Sequence, residues 1–196
     1  MYTINPCAAG CGRPAITGYN LCFVHQANPE QEYARICAYI EENKKIKDLC
    51  VSGMRFENTN FSKHHFYGCN FKEAYFSGCD FTGVKFGMNI FDFAEFTDCD
   101  FNSSDIQFVS FAGAGIRNCG FEESELMHIN FEGAVIKESS FNNSDLYNSR
   151  FISADLGKVT FVNCNLKHVY FVGSRRENVL FKSSNTAEAV FEMEER

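Results

Sequence analysis

From Val51 onward, apolar side chains return at every fifth position with polar residues between them: FENTN, FSKHH, FYGCN, FKEAY, FSGCD, FTGVK. Of the 29 frame positions from Val51 to Phe191, 19 are Phe. Four more are Leu126, Leu146, Leu156 and Leu166, three are Ile106, Ile116 and Ile136, and one is Val51 itself. Only Arg176 and Thr186 break the frame. Of 22 phenylalanines, only Phe23, Phe93 and Phe108 lie outside it. On an α-helix a step of five rotates by ~140°, which would spread the rings over every face. In a flat strand an odd step alternates faces. Every fifth side chain points inward only if the chain turns a corner once per pentad and coils around its own phenylalanines.

A second register agrees. Two residues before each frame position the side chain is mostly small: Cys69, Ala74, Cys79, Ala94, Cys99, Ser104, Ala114, Cys119, Ser124, Ala134. A small residue beside a large one suits a narrow, filled interior. Ala74, Ala94, Ala114, Ala134 and Ala154 recur at every fourth pentad, as do Cys79, Cys99 and Cys119. Four pentads per coil explain these columns. About seven coils at a strand spacing of ~4.8 Å predict a rod roughly 34 Å long. Cysteines in the small slot read as small hydrophobes; the alternative is a redox or metal ladder along Cys79, Cys99 and Cys119.

The pentads AEFTD, CDFNS, SDLYN, ADLGK and CNLKH carry a small residue, Asp or Asn or Glu, then Phe or Leu and two more residues. On these residues the chain resembles the pentapeptide-repeat family over 51–191. The resemblance implies an all-β fold, a right-handed, four-sided parallel β-helix. His64, Asn89 and Ile129 depart from the pattern at the small inward position. Arg176 and Thr186 predict that packing frays on two faces in the last coils.

The ends read differently. The stretch 29–49 (PEQEYARICAYIEENKKIKDL) predicts an amphipathic capping helix, with Asn28 as N-cap, Pro29 in the first turn and Glu30 and Glu32 at its positive end. Tyr33, Ile36, Tyr39, Ile40, Ile46 and Leu49 supply its apolar stripe. A solenoid needs such a lid over its exposed core; a separate partner-binding helix is the other reading. Before it, Cys7-x3-Cys11-x10-Cys22-x2-His25 offers three thiolates and an imidazole at spacings compatible with structural Zn²⁺. Gly10 and Gly12 free the backbone for a tight knuckle. A segment this short lacks a core of its own, and a metal supplies the missing stability. A Cys-rich tail without metal is the alternative, and Cys37 or Cys50 could replace one ligand. Such a module is not a standard part of the family pattern. The predicted domains are therefore 1–28, a zinc-binding module; 29–49, the cap; and 50–196, the β-helix. The closing FEMEER is short and shows no dimer-forming extension of the kind found in the family, although eroded last coils allow a homodimer through the C-terminal coil.

Composition and charge narrow the function. With 45% hydrophobic and 22% charged residues the chain is globular. No apolar run approaches the ~18 residues of a membrane span. The first residues show no basic region followed by an apolar one, so no secretory signal is read and a cytoplasmic location with reduced or metal-bound cysteines is expected. A net charge of −7 argues against direct nucleic-acid binding. No catalytic constellation is visible: His64, His65, His128 and His168 fall on a regular coil without a nucleophile beside them, and no phosphate-binding Gly loop occurs. The chain does not read as an enzyme.

Function then falls to the faces. From Glu73 to Asp145 there are 13 acidic residues against Lys85, Arg117 and Lys137, a net −10, whereas Leu156 to Thr186 carries a net +4 from five cations against Glu177. Asp105, Glu125 and Asp145 stack on successive coils, where like charges repel. Beside them lie Met88, Phe108, Met127 and Tyr147, with Phe93 one pentad away, in positions expected to face outward. Clustered apolar side chains there suggest a contact site for a protein partner; scattered surface hydrophobes are the bland reading. Two functions follow: a non-enzymatic binding module or scaffold, or a DNA mimic. The resemblance implies the second, because pentapeptide-repeat proteins of the Qnr quinolone-resistance type look like duplex DNA and bind DNA gyrase and topoisomerase IV. The unbroken frame here lacks the loop insertions often found in those proteins, and the added zinc module departs from them. A secreted bacterial effector is a third reading.

Overall fold

The structure is a computed structural model and describes residues 5–192. Residues 193–196, which close FEMEER, lie outside them. The pentad frame folds as a four-sided parallel β-helix. Its first wall carries the inward file Ile46, Phe66, Phe86, Ile106, Leu126, Leu146, Leu166, and its second wall Val51 and Phe71 through Phe191. The third carries Phe56, Phe76, Phe96, Ile116, Ile136, Leu156 and then Arg176, and the fourth Phe61 through Phe181. Three-residue strands on the first wall, from Lys45–Lys47 to Glu125–Met127, form a five-stranded parallel ladder. On the third wall seven strands, from Arg55–Glu57 to Arg175–Glu177, pair in parallel, one per coil. Partners are four pentads apart throughout, as in Phe56↔Phe76. The second and fourth walls are joined by single parallel bridges such as Asn60↔Asp80.

The interior explains the composition. Rings on one wall stack on those of the next coil: Phe81 and Phe101 have centroids 4.5 Å apart and planes within 3°, and Phe101 and Phe121 lie at 4.6 Å and 4°. Rings on neighbouring walls meet edge to face, as Phe96 and Phe101 do at 5.4 Å and 69°. Both arrangements suit the aromatic quadrupole. After Phe86 on the first wall and Phe96 on the third, the files turn aliphatic, and only the second and fourth walls keep their rings.

The small inward slot takes Cys and Ser by one rule. Cys79 Sγ donates to the Phe56 carbonyl at 3.4 Å, and Cys164 Sγ to that of Phe141 at 3.0 Å. Ser144 Oγ donates to Phe121 O at 2.6 Å in the same way. Thiol and hydroxyl thus satisfy one backbone acceptor of the preceding coil. Burial pushes the Cys69 thiol up to about 12. Hydrogen bonding with Cys119, together with burial, pushes Cys99 to about 12. The three irregular residues are also satisfied. The buried Asn89 receives Cys69 N–H at 2.7 Å and donates to Phe66 O at 3.0 Å. His64 places its two ring nitrogens 3.0 Å from the carbonyls of Ser62 and Ile40, which ties the first full coil to the helix above it. Ile129 is buried among the core residues.

The helix, α1, spans Pro29–Glu42 and so stops short of the expected 29–49. Asn28 Oδ1 caps it by accepting from Gln31 N–H at 3.2 Å. Asn43 closes it, its side chain donating to Tyr39 O at 2.8 Å. Ile36 and Ile40 are buried against the core and Tyr33 packs beside them, while Tyr39 is exposed. Ile46 and Leu49 are buried too, but on the coil. Ile46 lies one pentad before Val51, so it fills the first-wall file, and pairing with Phe66 satisfies backbone that a longer helix would leave over the open coil.

At the far end the two breaks in the frame fall as expected. Arg176 is exposed on the third wall and lies over the Phe191 ring at 4.9 Å. Thr186 opens a 3₁₀ turn, Thr186–Glu188, where the first wall would continue. Among the described residues no helix is long and apolar enough to cross a membrane.

Candidate functional site

The first wall has two unlike margins. Along one run Lys45, His65, Lys85, Asp105, Glu125 and Asp145, each one residue before the inward position. Along the other, at the corner with the second wall, run Tyr67, Met88, Phe108, His128 and Tyr147. The corner members touch from coil to coil. Tyr67 Oη donates to Met88 Sδ at 3.1 Å. Phe108 stacks on His128 at 4.6 Å and 8°, and Tyr147 meets His128 edge-on at 5.8 Å. Tyr67, Met88 and Phe108 are 50%, 55% and 55% exposed; Met127 and Tyr147 are half-buried.

Met88 and Phe108 adopt φ of 55° and 56°. This is the left-handed conformation that glycine and asparagine take readily and bulky residues do not, at a cost of roughly 1–2 kcal/mol. Gly68 holds the equivalent corner one coil before Met88, at φ 64°. Large apolar side chains therefore occupy positions where neither local geometry nor burial favours them.

The structure brings Met88, Phe108, Met127 and Tyr147 together on this wall beside Asp105, Glu125 and Asp145. Phe93 stands apart, on the corner between the second and third walls. It is 58% exposed with φ 58°, with Lys72 Nζ 5.6 Å from its ring centroid. Its ring leans on Gly113, where a Cβ would fall 2.6 Å from Phe93 Cε1. The acidic column is not bare repulsion: Asp105 pairs with Lys85 at 3.3 Å and accepts from Gln107 Nε2 at 2.8 Å. Asp145 accepts from Tyr147 N–H and Asn165 Nδ2, both at 2.9 Å. Among the described residues Glu125 has no ion-pair partner.

The pentad pattern alone missed the first half of this wall. Lys45, Lys47, His65 and Lys85 join Tyr67, Gly87, Met88 and Phe108 around a shallow groove of about 600 Å³. The Tyr67 ring lies against Gly87, where a Cβ would fall 3.0 Å from Tyr67 Cδ2. The signal is visible only when the sequence is written in rows of four pentads, because Tyr67 and Met88 occupy adjacent, not identical, places within their pentads.

The second candidate is at the amino end. Cys7, Cys11, Cys22 and His25 place their ligand atoms within 4.8 Å of one another, a group that could hold a metal ion. His25 Nδ1 lies 3.4 Å from Cys7 Sγ and 3.5 Å from Cys22 Sγ, and Cys11 Sγ lies 3.7 Å from Cys22 Sγ. Tetrahedral Zn²⁺ with Zn–S of about 2.3 Å and Zn–N of about 2.05 Å sets S···S edges near about 3.8 Å and S···N edges near about 3.6 Å. The observed separations match both. The Cys22 N–H, donated to Cys7 Sγ at 3.3 Å, and then the His25 ring lower the Cys7 thiol to about 6, against an opposing push from burial. Burial raises Cys22. Cys37 and Cys50 are not part of the cluster: Cys37 packs against the core under α1. The segment is tied down on both sides. Thr17 exchanges backbone and side-chain bonds with Cys50, at 3.1 and 2.7 Å. Tyr19 Oη donates to Glu32 at 2.6 Å.

The family description "pentapeptide repeat region" matches residues 51–131 and 114–191. Among solved structures, a trypsin-treated form of QnrB1, a plasmid-mediated fluoroquinolone resistance protein, is 20% identical, covers 75% of this chain and 76% of its own, and has a TM-score of 0.42. HetL, a pentapeptide repeat protein involved in heterocyst differentiation regulation in the cyanobacterium Nostoc, is 10% identical over 82% of this chain and 96% of its own, with a TM-score of 0.24. Rfr23 from the cyanobacterium Cyanothece is 14% identical over 81% and 99%, with a TM-score of 0.27. No curated protein matches the chain. With the frame, the four walls and a family match across residues 51–191, the chain belongs to the pentapeptide-repeat family.

Proposed function

We propose that the protein is a non-enzymatic interaction module whose first wall, from Met88 to Tyr147, binds a protein partner. One observation carries this reading: Met88 and Phe108 put large apolar side chains, more than half exposed, at left-handed corners that the other pentads, Phe93 excepted, fill with Gly or a polar residue. The filled interior supplies no cleft for catalysis, and the buried His64 has its ring nitrogens 3.0 Å from the backbone carbonyls of Ser62 and Ile40. The double variant Phe108→Ser/Met127→Ser should fold normally and lose partner capture from an extract of the source cells. Undiminished capture would refute the assignment, and loss of folding would place these side chains inside the wall.

The acidic band from Glu73 to Asp145 favours a second reading, mimicry of DNA toward gyrase or topoisomerase IV, the role that the resemblance to Qnr-type proteins implies. A gyrase supercoiling reaction with and without a fluoroquinolone tests it, and no effect at micromolar protein removes it.

For the amino-terminal cluster we propose a structural Zn²⁺ held by Cys7, Cys11, Cys22 and His25. Four protein ligands close the shell, so the ion would cross-link the knuckle and supply no catalysis. Metal analysis of protein purified without added zinc should give one zinc per chain, lost in Cys22→Ser; full metal content in that variant would defeat the ligand set. Exposed Leu180 with half-buried Phe181 and Phe191 at the last coil supports pairing of carboxyl ends in a homodimer.

A further inference from the structure

We propose that the occupant of the first wall is an amphipathic α-helix of about four to five turns, laid along the rod axis, with acidic residues flanking one half and basic residues the other. This rests on the first wall being the contact surface and names what fits it. The first reason is the backbone. Every strand of the wall except the terminal Lys45–Lys47 is bonded to the coils before and after it, for example Lys85–Gly87 to His65–Tyr67 and to Asp105–Gln107. The face of the wall therefore offers side chains only, and a partner laid along it finds no free main chain to pair with. A partner that satisfies its own main chain, a helix, suits it.

The second reason is spacing. The corner residues Tyr67, Met88, Phe108, His128 and Tyr147 repeat once per coil, at about 4.8 Å. Helix side chains on one face repeat at about 5.4 Å per turn, so a helix centred on Phe108 stays within about 1.2 Å of register for two turns on either side. The two margins are two to three residues apart along the strand, about 7–10 Å, within the roughly 10–12 Å diameter of one helix. From Lys45 to Asp145 is five coil steps, about 24 Å, which is the length of about 16 helical residues.

The third reason is charge. The polar margin changes sign midway. Lys45 and His65, with Lys47 beside them, face the groove without an acidic partner among the described residues, and the Lys85–Asp105 pair marks the crossover. Beyond it stand Glu125 and Asp145. A helix of uniform charge would be repelled at one end, whereas a two-signed helix is matched along its whole length.

The test uses three fluorescent, end-blocked peptides: an apolar stripe with Glu on one half and Lys on the other, a second of the same composition with Glu and Lys alternating, and the first peptide with a central residue replaced by proline. Fluorescence anisotropy should show the first binding at least about tenfold more tightly than the other two. Its binding should weaken about tenfold in Lys45→Glu/Lys47→Glu and in Phe108→Asn, and fall with added salt. Equal binding of all three peptides, or indifference to both variants, overturns the proposal. Charge-blind binding that Phe108→Asn still abolishes would refute the two-signed helix while leaving the contact wall standing, and partner capture by the Phe108→Ser/Met127→Ser variant judges that wall independently.

Discussion

The same aromatic stack occurs twice in this protein, once inside and once outside. Phe81 and Phe101 lie face to face at 4.5 Å within the coil; Phe108 and His128 lie face to face at 4.6 Å on its corner. The spacing is nearly equal because the separation between successive coils, about 4.8 Å, sets it in both places. The consequences differ. The inner pair is sealed from water with no accessible surface at Phe101, while Phe108 is more than half exposed. Ring stacking alone is worth only about 0.5–1.5 kcal/mol, so burial, not stacking, makes the inner file the source of stability. The outer file holds apolar area that folding leaves unused.

Substitution separates the two. Phe101→Ala should destabilise by about 3–5 kcal/mol in denaturant titration, because the neighbouring rings at 4.5 and 4.6 Å cannot collapse into the gap. A cost below about 1 kcal/mol would mean that the file is not close-packed. Alkaline unfolding sharpens the contrast from another side. Cys69 and Cys99 are pushed up to about 12 when folded and titrate near 9 when unfolded. The native chain then holds more protons, so stability should be full below pH 9 and fall as pH rises toward about 12. At mildly alkaline pH these thiols should resist iodoacetamide in the folded protein, while the exposed Cys11 should react once a chelator has removed metal. Labelling of Cys99 without unfolding would break the picture of a sealed tube. The smallest effect belongs to Phe108→Asn. Asparagine relieves the left-handed corner while giving up the ring stack on His128, opposing effects of about 1 kcal/mol each, so melting should shift stability by less than about 0.5 kcal/mol.

The interior was legible in the sequence because one rule governs it: Phe, Leu or Ile inward, a small residue two positions before. Even the exceptions Arg176 and Thr186 announced where the walls open. The helix end was not legible. Ile46 and Leu49 fit the apolar stripe of a helix, and Ile46 also fits the pentad frame; only strand pairing with Phe66 decides between them. The basic half of the first wall was missed for a related reason. Lys45, Lys47 and Lys85 occupy positions where any polar residue fits, so no pentad looks unusual. Their meaning arises only when successive coils are stacked. Phe93 shows the converse, since neighbours in sequence can stand on different corners.

The most direct test of the contact wall is hydroxyl-radical footprinting of the protein alone and in complex with the partner captured from source cells. The account predicts protection at Tyr67, Met88, Phe108, Met127 and Tyr147, with Tyr75 on the third wall unchanged. Protection of Tyr75 with Met88 and Phe108 still fully reactive would contradict it.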